Sequence, residues 1–149
     1  MKTAFFLIFS ITLIAQDSKS YEQKFYNFVG VPLDTLLNFW GYPDGEDYGE
    51  NGVKIIWFER NNGKAIYSFA VLNKSIRNSV SLSRQGDDVG TVFWFNIYQG
   101  SLIKDGFVLV GEQTKKKAHY KKNNLHISLE LYKDESNLFT IECRAFLLE

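Results

Sequence analysis

Near its C-terminus the chain carries two rows of side chains that alternate with period two. Leu125, Ile127, Leu129 and Leu131 alternate with His126, Ser128, Glu130 and Tyr132. After a polar turn at 133–137, Phe139, Ile141, Cys143 and Ala145 alternate with Thr140, Glu142, Arg144 and Phe146. Successive side chains of a strand point to opposite faces, so the pattern predicts an antiparallel hairpin with one face in a core. The two apolar rows match across it.

The rest of the chain supplies helices and further strands. Phe25, Phe28 and Val29 predict a short helix over 21–29, ended by Gly30. A second helix is signalled by Pro32 in a first turn and Asp34 near the N-terminal end, with Leu33, Leu36, Leu37 and Trp40 on one face. Gly41 stops it in the left-handed region, and Pro43 forbids resumption. Residues 44–52 read as a solvated loop, 53–60 as a strand, Asn61-Asn62-Gly63 as a hairpin turn and 64–72 as its partner. A turn at 73–78 and a third strand at 79–84 follow. Residues 91–104 are ambiguous: Thr91-Val92-Phe93-Trp94-Phe95 favours a strand, whereas Val92, Phe95, Tyr98 and Leu102 fall at helical spacing. We take a helix, at a cost of about 1 kcal/mol for interior Gly100. The element order predicts an α+β domain, helices packed on one face of an antiparallel sheet, with two helix-then-strands units at 20–84 and 88–149 as one option.

The N-terminus has a leader's layout. Lys2 precedes the charge-free, mostly apolar run 3–14, and Ala15 closes it before the chain turns polar at Gln16. This predicts a signal peptide over 1–15, too short to span a membrane, with one exported domain over 16–149. The destination is the periplasm or the outside of the cell. Thirteen Phe, eight Tyr and three Trp can build a core without staples, which suits a chain whose one cysteine, Cys143, can form no internal disulfide. Cys143 also lies too far from the leader for lipid attachment. A formal net charge of zero argues against an electrostatic grip on nucleic acid.

The segment Phe28-Val29-Gly30-Val31-Pro32-Leu33-Asp34-Thr35-Leu36-Leu37-Asn38-Phe39-Trp40-Gly41-Tyr42-Pro43-Asp44, with Asn51-Gly52 and a strand centred on Trp57-Phe58, resembles small exported bacterial domains. These are the outer-membrane-assembly lipoprotein family (BamE/SmpA-like) and the β-lactamase inhibitor proteins that share its architecture. The resemblance covers 28 to about 69. It implies a helix–helix–antiparallel-sheet build in which Gly30, Leu36, Gly41, Pro43 and Trp57 hold structural positions. The chain lacks the lipid-anchored cysteine and the paired cysteines of many members.

Candidate chemistry is sparse. His119 and His126 are too few for a structural zinc site, and no metal or cofactor is expected. Cys143 shares a face with Phe139, Ile141 and Ala145, the setting of an inert core thiol rather than a nucleophile. Asp44, Glu46, Asp47 and Glu50 cluster in a loop without the order of a calcium loop. Lys115-Lys116-Lys117 and Lys121-Lys122, around His119 and Tyr120, suit a lysine-guarded sheet edge better than a nucleic-acid patch. Trp40, Trp57 and Trp94 each sit on the apolar side of a predicted element. No catalytic residue is assigned and no nucleotide or nucleophile-elbow motif occurs. The expectation is a non-enzymatic exported module that binds another protein, with the cell envelope as one setting. Its surface would be the sheet face or edge, or the loops at 42–51. An exported immunity or inhibitor protein is the alternative, and a hydrolase with two fold-assembled carboxylates is a third class.

Overall fold

The computed structural model describes residues 24–85 and 88–148; the expected leader and the start of the mature chain lie outside them. The chain folds around one eight-stranded antiparallel sheet. Its strands are β1 (Gly45–Tyr48), β2 (Lys54–Arg60), β3 (Ala65–Leu72), β4 (Ser75–Gln85), β5 (Val108–Leu109), β6 (Lys117–Lys122), β7 (Leu125–Lys133) and β8 (Phe139–Leu147). Their spatial order is β1-β2-β3-β4-β8-β7-β6-β5. Each run of four strands is a meander, and β4 against β8 joins the two at the centre. The expected α+β layering is corrected here. Among the described residues strands far outweigh helices, so the sheet sets the architecture. The helical segments are a 3-10 turn at Phe25–Phe28, α1 (Leu33–Trp40), a second 3-10 turn at Glu50–Gly52, and α2 (Asp88–Lys104).

Local chemistry explains several boundaries. Asn61, Asn62 and Gly63 all take positive φ and reverse the chain between β2 and β3. Gly41 ends α1 at φ 80°, a conformation that L side chains rarely adopt. The first 3-10 turn is shorter than the predicted helix, whose opening residues lie outside the described ones. The expected loop at 44–52 holds an edge strand instead. Its acidic residues fasten that strand: Asp44 accepts the Glu59 N–H at 2.7 Å, and Glu46 pairs with Lys54 at 2.5 Å. The turn before β4 shrinks to Asn73 and Lys74, both at positive φ.

One face of the sheet carries the core. Ile56, Phe58, Phe69, Ile127, Leu129 and Ile141 lie fully buried on it. The first 3-10 turn and α1 cover the β2–β3 end. Trp40 there meets Phe28, Phe58, Tyr67 and Phe69 edge to face, with ring centroids 5.0–6.2 Å apart. Such contacts stabilise by roughly 0.5–1.5 kcal/mol each beyond the burial itself. The centre is built differently. Ser79 and Ser81 of β4 face inward, beside Ala145 and Cys143 of β8. This floor of small side chains leaves room for α2, whose Tyr98 hydroxyl reaches Ser81 and Ser83.

Candidate functional site: an exposed helix face and the cleft beside it

α2 buries Thr91, Phe95, Gln99 and Leu102 against the sheet, at the helical spacing the sequence predicts for Phe95 and Leu102. Tyr98 is partly buried on the same side. Val92, the fourth predicted face residue, is exposed. The opposite side is also apolar. Phe93 is 59% exposed, Trp94 41% and Ile97 42%, and the Phe93 and Trp94 rings pack 5.9 Å apart. Gly100 continues this side one turn on, with nothing near the space a Cβ would take. A helix apolar on all sides is usually enclosed on all sides; α2 is enclosed on one. Trp94 is therefore corrected from the core to the surface. The signal was present in the sequence, since Val92, Phe93, Trp94, Phe95, Ile97 and Tyr98 exceed what one buried face of a helix needs.

Trp57 also departs from expectation. It points to the face opposite Ile56 and Phe58 and lies half-buried over Gly45, where an added Cβ would meet the indole at 2.1 Å. β2 is apolar at Ile55, Ile56, Trp57 and Phe58, so period-two reasoning had no polar row to set its facing.

The titratable candidates separate. Cys143 is 1% exposed, and burial, helped by Glu142, pushes its thiol up to about 12. His119 Nε2 and His126 Nδ1 meet at 2.8 Å on the open sheet face, beside Phe146. Burial and then the neighbouring His126 hold His119 below the usual imidazole range. Among the described residues no three His, Cys, Asp or Glu gather in a metal-binding group. The basic cluster is partly spent: Lys117 pairs with Glu130 at 2.7 Å, and Lys122 Nζ donates to the Asp105 carbonyl at 2.7 Å. Glu130 and Glu142 face each other across β7 and β8, but Glu142 pairs with Arg144 at 2.8 Å on the same open face. They stand on a sheet surface, not in a cleft.

Among the described residues, clefts lie at both the C-terminal end and the flank of α2. One, of about 400 Å³ near its C-terminal end, is lined by Lys24, Asp105 and Lys122 among others. Sequence reasoning missed this cluster, because its members lie far apart in the chain. Tyr26 donates to Asp105, and Lys24 pairs with it at 2.9 Å. Burial alone would raise the Asp105 carboxyl; the Tyr26 and Lys24 hydrogen bonds outweigh it and hold the group below the usual range. Its charge is thus already answered. The other cleft, about 600 Å³, runs between α2 and the connection from β5 to β6.

No family model and no curated protein matches the chain. The chain is similar to parts of two solved structures. One is an extracellular protein containing an SCP domain from Bacillus anthracis str. Ames, at 10% identity and a TM-score of 0.49, over 80% of this chain and 44% of that one. The other is a cysteine-rich secretory protein from Staphylococcus aureus subsp. aureus Mu50, at 11% identity and 0.49, over 81% and 44%. The chain spans less than half the length of either. The expected resemblance to the assembly lipoprotein and the inhibitor proteins is corrected: no family model matches, and one eight-stranded sheet, not a helix–helix–sheet build, sets the architecture. Its motif is helix-stop chemistry, Pro32 to Gly41 and Pro43, which any short helix ending in a sharp turn can use.

Proposed function

We propose that this chain is an exported, non-enzymatic module that binds another protein through the outward side of α2. The leader-like residues 1–15 support export. The exposed row Phe93, Trp94 and Ile97 carries the binding reading. Contiguous apolar surface of this kind is costly to leave in water and marks interaction sites, and a tryptophan at its centre is a typical anchor of binding energy.

The test is capture from an exported-protein extract, with the native chain and a Trp94→Glu variant as baits. Trp94 is exposed, so the variant keeps its fold, checked by a thermal melt. A partner held by the native chain and weakened about 30-fold or more on Trp94→Glu is expected, which corresponds to an anchor contribution of about 2 kcal/mol. Capture indifferent to the substitution, or none across a range of salt and pH, refutes the reading.

A further inference from the structure

The cleft of about 600 Å³ beside α2 leaves a buried amide donor and a lysine ammonium without an acceptor among the described residues. Val92, Phe95, Asn96 and Gln99 form its helical bank, one stripe at i, i+3, i+4 and i+7; Gln113, Thr114 and Lys115 form the other. Gln113 Nε2 donates to Gln99 Oε1 at 3.1 Å. The Thr114 hydroxyl oxygen is engaged by the Lys116 and Lys117 N–H groups, at 3.2 and 2.9 Å. That leaves Gln99 Nε2 as a donor without a partner among the described residues, in a residue only 8% exposed. A buried donor in this state has lost its water and gained nothing in return.

Charge points the same way. Lys115 stands on the wall of the cleft and Lys116 follows it, and neither has an ion pair among the described residues, whereas Lys117 is held by Glu130. Glu112, exposed, is the one carboxylate in this connection. Amide and ammonium donors in surplus call for an anionic acceptor, and charge-assisted hydrogen bonds to a carboxylate are among the strong ones. The volume lies in the range of small-ligand sites.

We propose that this cleft receives a carboxylate side chain of an acidic peptide segment on the partner, with Phe93, Trp94 and Ile97 taking the segment's apolar neighbours. The proposal rests on the protein-binding reading and names that partner's chemistry. A peptide fits better than a free dicarboxylate, because the apolar row on the same helix extends beyond what a small ion can cover.

The experiment titrates the isotope-labelled chain with a capped pentapeptide alternating leucine and glutamate, with its glutamine counterpart, and with glutarate. The glutamate peptide is expected to move the side-chain amide signals of Gln99 and Gln113 and the backbone signal of Lys115. It should bind about tenfold or more tighter than the glutamine peptide or glutarate, and weaken as salt rises. Lys115→Gln should remove most of that advantage. Gln99→Leu should do the same with little change in melting temperature, since it deletes an unpartnered buried donor and the Gln113 amide it releases is exposed to water. Equal binding of the two peptides, equal binding of glutarate, unmoved cleft signals, or native-like binding by both variants overturns the proposal. Failure of the protein-binding reading is seen separately, as capture indifferent to Trp94→Glu.

Discussion

The buried thiol of Cys143 offers a quantitative test of the central β4–β8–β7 packing. It sits opposite Leu129 on β7 and Ser81 on β4, fully enclosed by the sheet and its cover. Its pKa is raised from 9.0 to about 12, chiefly by loss of solvent around the charged form. At pH 8 an ordinary thiol is about one-tenth thiolate, whereas this one is about one part in ten thousand; the reactive species is depleted roughly a thousandfold. Reaction through unfolding is no faster, because a domain stable by at least ~5 kcal/mol opens globally less than about one part in a thousand of the time. Labelling by a disulfide reagent should therefore be slowed at least about a thousandfold relative to the chain in denaturant. Linkage adds a second readout. Between pH 9 and about 12 the unfolded thiol loses its proton while the folded one keeps it, so the unfolded state binds fewer protons and stability falls as pH rises. At pH 10 the loss amounts to roughly 1 kcal/mol, and Cys143→Ala should remove that part of the alkaline decline. Rapid labelling of the native chain, or an alkaline decline unchanged in Cys143→Ala, would refute the packing assigned to this strand pair.

Two further perturbations probe the sheet's two faces. Trp40→Ala should cost about 3–5 kcal/mol as a core deletion, and Trp57→Ala clearly less, because Trp57 lies half-buried on the open face; chemical denaturation that ranks them the other way would invert the assigned facing of β2. His119 is held below 6.5 by burial and then by His126, so the unfolded chain takes up its proton first and stability should fall as pH drops through and below 6.5. A pH series of melts should show this decline and its weakening in His119→Gln.

Much of the chain's local structure was legible. The alternation in 125–131 and 139–145 is a strand pair with its apolar rows in the core, as β7 and β8 show. Asn61-Asn62-Gly63 turns, Gly41 stops α1 and Phe95 and Leu102 face inward, each by short-range chemistry: positive φ, or a side-chain period tied to backbone geometry. Where apolar residues fill both parities of a strand, or all sides of a helix, period carries no direction. For that reason the core placement expected of Trp57 and Trp94 fails, and both face outward.

The candidate site depended on arrangements the sequence does not spell out. Gln99 and Gln113 read as ordinary polar residues until α2 and the β5–β6 connection lie side by side. In β4 the sequence Ser79-Val80-Ser81-Leu82-Ser83 would, by polarity alone, turn its serines to water. The fold turns Ser79 and Ser81 inward, because pairing with Phe69 and Tyr67 on β3 and with Ala145 and Cys143 on β8 makes small side chains the ones that fit under α2. By itself, then, the sequence determined the strands, most turns and the inward row of each strand that alternates cleanly, since these depend on neighbours a few residues away. Only the tertiary structure decided which strands meet at the centre, which side of α2 stays exposed and which donors are left without partners, because those outcomes depend on competition for space between segments distant in the chain.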